Sequence, residues 1–161
     1  MAADLVSLPR TTTGCVDCLV VVDHYSKWVA AVPIQDKKSS TIVHAFSHQI
    51  LPFLPAIPTN LLTDNGPEFT SLQFSEFLDE VNITHKCTTP LCPSSNGAVE
   101  HVNRTIQNFL RSIVSDVQTW VHSLPRAVIV YNNTVHSELK MLPAKYLLTL
   151  AHSTSHDISS R

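Results

Sequence analysis

Glycine is scarce in this sequence: the chain has 161 residues and only three glycines. An average usage of about 7% would give roughly 11, so few backbone positions tolerate every conformation, and Gly14, Gly66 and Gly97 mark candidate turns. Long apolar runs are also missing, because ten prolines interrupt them before they reach the roughly 18 residues that span a membrane. No basic leader precedes an apolar segment at the amino terminus. We therefore expect a protein of the nucleus or cytoplasm that is neither secreted nor embedded in a membrane.

Net positive charge is lacking too, because 11 Lys and Arg residues stand against 13 Asp and Glu residues, for a formal net charge of −2. Such a chain does not hold nucleic acid by bulk attraction, so any contact with nucleic acid would be local. Four cysteines are too few for a disulfide framework. Cys15 and Cys18 form a C-x-x-C pair, but Cys18 begins an apolar strand in which alternation predicts thiols on opposite faces. We interpret them as buried thiols, with a zinc site that includes Cys87 and Cys92 as the alternative.

The order of apolar patterns predicts one α/β domain over residues 1–150, with a mixed five-stranded sheet flanked by helices. A β-branched run at 18–23 and its hairpin partner at 27–34 are expected to pair antiparallel, after a short first strand around Asp4. Residues 151–161 are polar and are expected to form a disordered tail. The remaining predicted strands cover 59–63 and 81–87, and the predicted helices cover 36–51, 71–80, 99–114, 116–131 and 143–150.

Three acidic residues lie where an unpaired carboxylate is costly. Asp4 lies in a short apolar stretch, Asp64 ends a predicted strand before a glycine turn, and Glu100 lies in the first turns of a predicted helix. Between Asp64 and Glu100 there are 35 residues, although spacing alone identifies no chemistry. Each acid also has an ordinary interpretation: Asp4 as an acid near the chain end, Asp64 as an Asx-turn residue and Glu100 as a partner of the helix dipole.

The segments around these acids carry more information. In chain order they are DLVSLPR (4–10), VVVDHYSKWVAAVPI (20–34), LTDNGPEF (62–69), TTPLCPSSNGAVEHVNRT (88–105) and YNNTVHSELKMLPAKYLL (131–148). Together they resemble the integrase catalytic core of retroviruses and long-terminal-repeat retrotransposons, most closely the Ty3/gypsy type. The resemblance implies a ribonuclease-H-like fold and a DDE-type site in which Asp4, Asp64 and Glu100 hold two Mg²⁺ or Mn²⁺ ions. It further implies DNA 3′-end processing and strand transfer, and a homodimer or higher oligomer with helix surfaces such as that around Trp120 as candidate contacts.

A polar row follows Glu100 along its predicted helix, at positions +4, +7 and +11. A DNA backbone lying along this row would meet two arginines, whereas the ordinary interpretation is a solvated helix face. The candidate DNA-binding residues are Asn96, Asn103, Arg104, Gln107 and Arg111.

Several positions depart from the family pattern, and each change removes a DNA-facing donor, a charge or a glycine; they are Ser7, Leu91, Cys92, Ser94, His101 and Gln107. Only three residues precede Asp4, so the first strand is expected to be clipped. These departures suggest an alternative function, a catalytically weak or inactive remnant or domesticated core that binds nucleic acid or protein. A third hypothesis is a nuclease of the same fold that cuts RNA in hybrids, although the DNG and SNG-x-x-E segments favour the integrase.

Overall fold

A mixed sheet organises the fold in the computed structural model, which describes residues 1–88, 104, 108 and 119–156. The strands are β1 Ala2–Ser7, β2 Asp17–Val22, β3 Val29–Ile34, β4 Asn60–Thr63 and β5 Thr84–Cys87. They form one five-stranded sheet in the order β3-β2-β1-β4-β5. The first three strands pair antiparallel, whereas β4 runs parallel to β1 and β5 runs parallel to β4. The predicted α/β class and mixed five-stranded sheet are confirmed.

The described helices are α1 Ser39–Ala45, α2 Leu72–Glu80, α3 Trp120–Asn132 and α4 Pro143–His156. Pro125 lies inside α3 without dividing it. The last helix runs to His156, six residues past the predicted boundary at 150, so the segment expected to be a tail begins as helix. Within the described part of the chain, no helix is both long enough and apolar enough to cross a membrane.

The first helical region extends beyond α1, because a π-helical turn at Phe46–Ile50 and a 3₁₀ turn at Leu51–Phe53 follow it directly. The sequence predicts Ser39 or Ser40 as the cap, but the helix begins at Ser39 and the N-cap residue is Lys38, which makes no side-chain cap bond. The Thr41 hydroxyl instead donates to Asp36 Oδ1 at 2.6 Å. Hydrogen bonds from Thr41 and Lys38 lower the pKa of Asp36 to about 2.

Apolar side chains cover both faces of the sheet. All six residues of β2 are buried, as its continuous apolar run predicts for a strand covered on both sides. One face packs against α1 and α2, where the fully buried side chains include Leu19, Ile42, Phe46, Phe69 and Phe74. The other face packs against α3, whose Trp120, Leu124 and Ala127 recur at helical spacing.

β1 reaches the usual strand length, against the expectation of a clipped strand. All six of its residues pair with β2, and Asp4 lies opposite Val20. At its carboxyl end the Ser7 hydroxyl donates to Asp17 Oδ1 at 2.7 Å. The serine that departs from the family pattern thus satisfies a buried carboxylate.

The edge strand β3 is protected by a side chain of α3. Asn132 Oδ1 accepts from Val29 N at 2.9 Å, and Asn132 Nδ2 donates to Val29 O at 2.8 Å. The amide therefore occupies the place of a further strand, and Pro33 on the same strand has no N–H to offer. This contact anchors the start of the 131–148 segment to the sheet.

We expect Asn132→Ala to lower the free energy of unfolding by about 2 kcal/mol, because it removes both partners of the Val29 backbone. Urea unfolding measures the change. The matched control is Asn133→Ala, since Asn133 is exposed and its side chain donates to Ile129 O of the helix that it follows. Equal destabilisation by the two variants would contradict this role of Asn132.

Candidate active site

Two of the predicted acids lie on or directly after neighbouring parallel strands. Asp4 is on β1, and Asp64 directly follows the parallel neighbour β4. The register pairs Ala2 with Leu62, so Asp4 and Asp64 each lie two residues further on, which puts both on the same face. Neighbouring strands are about 4.8 Å apart, and both acids are partly exposed. The structure thus brings together two carboxylates that are 60 positions apart in the chain.

Backbone N–H groups hold both carboxylates. Leu5 N donates to Asp4 Oδ1 at 2.8 Å, and Gly66 N donates to Asp64 Oδ1 at 3.0 Å. The second bond closes an Asx turn, so the ordinary interpretation of Asp64 is realised as well. Asn65 extends the turn by donating from Nδ2 to Thr88 O at 2.9 Å. These bonds restrict the side-chain rotation of both acids. Their carboxylate oxygens are of the kind that hard cations prefer as ligands.

Gly66 links the Asp64 turn to α2 through its backbone. A Cβ at this position would lie 2.8 Å from the carboxyl carbon of Glu68, which is the far end of a flexible side chain and can move aside. A left-handed backbone occurs instead at Gly14, whose φ is +87°. Phe69 N and Thr70 N both donate to Gly66 O at 3.0 Å, which leads the chain into α2. There the Ser71 hydroxyl caps the helix by accepting from Phe74 N at 3.2 Å.

A second set of polar residues lies next to Asp64 and was not predicted from the sequence. The Thr63 hydroxyl donates to Asp64 O at 2.8 Å and lies 2.9 Å from His85 Nε2. The His85 ring packs edge-to-face on Phe74, with centroids 5.5 Å apart, and burial lowers the pKa of His85. The available signal was the alternation of β5, which puts His85 and Cys87 on one face of the sheet.

The structure describes one of the other predicted site residues, Arg104. Arg104 is helical and exposed, which agrees with its predicted place on a solvent-facing row. Outside the described residues lie Asn96, Glu100, Asn103, Gln107 and Arg111. Among residues 1–88, 104, 108 and 119–156, no group of three or more His, Cys, Asp or Glu side chains could hold a metal ion.

The C-x-x-C pair differs from its prediction. Cys15 and Cys18 are both buried in the same apolar cluster. The expectation of opposite faces was wrong because Cys15 precedes β2, which begins at Asp17, so strand alternation does not apply to it. Burial raises the pKa of the Cys18 thiol. Both residues are buried thiols, as the favoured interpretation predicted.

Comparisons with known proteins agree with this arrangement. The family model described as "Integrase core domain" matches residues 1–93, more than half of the chain. The chain belongs to the integrase core domain family. A similar curated protein is the Transposon Tf2-3 polyprotein of Schizosaccharomyces pombe, which is 27% identical over 145 residues, 89% of this chain and 11% of the polyprotein. The Transposon Tf2-4 polyprotein of the same organism matches to the same extent.

Two solved structures share the fold of this integrase core. The catalytic core domain of BIV integrase superposes with a TM-score of 0.79 at 22% identity and covers 96% of both chains. A chain of the simian T-cell lymphotropic virus intasome in complex with PP2A regulatory subunit B56 gamma has a TM-score of 0.74 at 24% identity, over 91% of this chain and 52% of that one. The predicted ribonuclease-H-like architecture is confirmed by this likeness.

Trp120 of this integrase core is not available as a contact surface between subunits. Its side chain is 2% exposed, and Nε1 donates to Pro9 O at 2.7 Å. The candidate named from the sequence was therefore wrong at this residue, because the indole packs into its own chain. The exposed apolar side chains of α3 are instead Ile129 and Val130.

Proposed function

We propose that this integrase core is a DDE-type polynucleotidyl transferase of the Ty3/gypsy kind, which processes DNA 3′ ends and joins them to target DNA. The observation that carries the proposal is the placement of Asp4 within β1 beside Asp64, which directly follows the parallel strand β4. Glu100 is the proposed third acid, with 35 residues between it and Asp64. The family membership supports the same activity.

The proposed cofactor is a pair of Mg²⁺ or Mn²⁺ ions held by Asp4, Asp64 and Glu100. Adjacent carboxylates repel one another, and a bound cation relieves that repulsion. Carboxylate oxygens are also the ligands that these hard cations prefer. When bound, the two ions would neutralise charge on the attacking and leaving oxygens of the phosphoryl group. The role of this chain is to fix the two aspartates by the Leu5 and Gly66 backbone amides.

The proposed partner is DNA, contacted through local polar groups because the chain has no net positive charge. Arg104, which is exposed, supports a contact with phosphate, and Asn96, Asn103, Gln107 and Arg111 belong to the same proposal. A homodimer or higher oligomer, through the exposed Ile129 and Val130 of α3, and action in the nucleus or cytoplasm complete it.

Cleavage of branched DNA that mimics a strand-transfer product tests this function. We expect the chain to cut such DNA in Mn²⁺, and Asp64→Asn to cut it at least about 100-fold more slowly, because it removes a charged ligand. Asp79→Asn, an exposed acid on α2, is the matched control and should leave the rate unchanged. Equal rates for wild type and Asp64→Asn would overturn the proposal. A folded wild-type chain without Mn²⁺ binding would favour the non-catalytic module instead.

A further inference from the structure

A partly buried hydrogen-bond chain runs from His85 on β5 through Thr63 to the peptide group of Asp64. We propose that His85 is a positioning residue, which acts through the Thr63 hydroxyl to hold Asp64 in its metal-binding orientation. The inference rests on the proposed function, because it assigns Asp64 to the metal site. His85 itself does not touch the metal or DNA, since alternation puts it on the sheet face opposite Asp4 and Asp64.

The hydrogen-bond direction follows from the number of protons. Thr63 Oγ1 carries one proton, and it donates that proton to Asp64 O at 2.8 Å. The contact of 2.9 Å between Thr63 Oγ1 and His85 Nε2 therefore requires Nε2 to be the donor. Cys87 Sγ lies 3.8 Å from the same nitrogen, so it is the weaker partner. The resulting order is His85 to Thr63 to Asp64.

Each residue of this hydrogen-bond chain is held by further contacts. Thr63 has no solvent exposure, and Thr88 N donates to Thr63 O at 2.8 Å. Phe74 holds the His85 ring in an edge-to-face contact. On the far side, Gly66 N fixes Asp64 Oδ1 at 3.0 Å. The Asp64 peptide carbonyl and its side chain are thus fixed from two directions, and His85 controls one of them.

Loss of the His85 donor would leave the hydroxyl of the buried Thr63 with an unfilled acceptor site. The hydroxyl could then rotate away from Asp64 O, and the peptide group of Asp64 would lose its fixed direction. Groups that orient metal ligands in this indirect way typically change metal affinity by about 10- to 100-fold. We therefore expect an effect on affinity that exceeds any effect on folding.

Two pairs of variants separate positioning from packing. His85→Gln can put an amide N–H near the position of Nε2, whereas His85→Leu cannot. Thr63→Ser keeps the hydroxyl, whereas Thr63→Val keeps the shape without it. Calorimetric titration with Mn²⁺ should show about tenfold weaker binding for the Leu and Val variants, with affinity close to wild type for the Gln and Ser variants. Urea unfolding of the metal-free proteins measures folding separately.

A second readout needs no metal. The Gly66 amide should exchange its hydrogen faster in His85→Leu and Thr63→Val than in the wild type, because the turn at Asp64 is loosened. His85→Gln should restore slow exchange. Unchanged Mn²⁺ affinity and unchanged Gly66 exchange in the folded Leu and Val variants would overturn this inference alone. If the wild type binds no Mn²⁺, the proposed function fails, while Gly66 exchange still reports whether His85 orders the Asp64 turn.

Discussion

Asp4→Asn is expected to slow Mn²⁺-dependent cleavage of branched DNA by at least about 100-fold, or roughly 2.7 kcal/mol of transition-state stabilisation. Asparagine keeps the size of the side chain and one carbonyl oxygen, and this oxygen can still accept the hydrogen bond from Leu5 N. The change removes the negative charge that the proposed metal pair requires. The cleavage rate at saturating Mn²⁺ measures the effect.

Glu76→Gln is the control for this experiment, because Glu76 is an exposed acid of α2, and α2 packs on the opposite face of the sheet. We expect its cleavage rate to equal that of the wild type. Wild-type cleavage by Asp4→Asn would mean that the first acid of the proposed triad is not a metal ligand. The departure at Ser7 bears on the same strand, but Ser7 is engaged with Asp17 and β1 keeps its full pairing with β2.

Phe74→Ala is expected to lower the free energy of unfolding by about 3 to 5 kcal/mol, the range for removal of a buried aromatic ring. Phe74 has no solvent exposure. Its ring contacts those of Phe46, Phe69, Phe77 and His85, with centroids 5.4 to 6.3 Å apart. The cavity would open among these four rings, which surround Phe74. Urea unfolding measures the loss.

Leu72→Ala on the same helix is the matched control, because Leu72 is 75% exposed. We expect a change within about 0.5 kcal/mol for such a surface position. A destabilisation of Phe74→Ala as small as that of Leu72→Ala would contradict the central place of Phe74 in this core. Because Phe74 also holds His85, we further expect its loss to weaken Mn²⁺ binding.

Local patterns predicted most elements of the fold. The β-branched run of β2, the hairpin to β3 and the apolar row of α2 follow from residues close together in the chain, where periods of 2 and 3.6 are read directly. The errors arose where tertiary contacts decide. Trp120 is apolar and is predicted to be helical, but its burial comes from packing against residues of β1 and β2, with Nε1 bonded to Pro9 O. Cys15 looked like part of a strand, and only the start of β2 at Asp17 excludes it.

The sequence by itself determined the family resemblance, the class of fold and the identity of the candidate acids, because motifs and periodicity are properties of contiguous residues. The tertiary structure decided which distant residues meet. Parallel pairing of β1 with β4 puts Asp4 beside Asp64, a diagonal contact between β4 and β5 joins His85 to Thr63, and Asn132 reaches Val29 across 103 positions. Such contacts depend on strand order and register, which are set by the burial of whole faces and not by any single segment. The scarce glycines show the same division: the sequence marked Gly66 as a turn, whereas the structure showed that its N–H bonds Asp64 and its carbonyl oxygen bonds the residues that lead into α2.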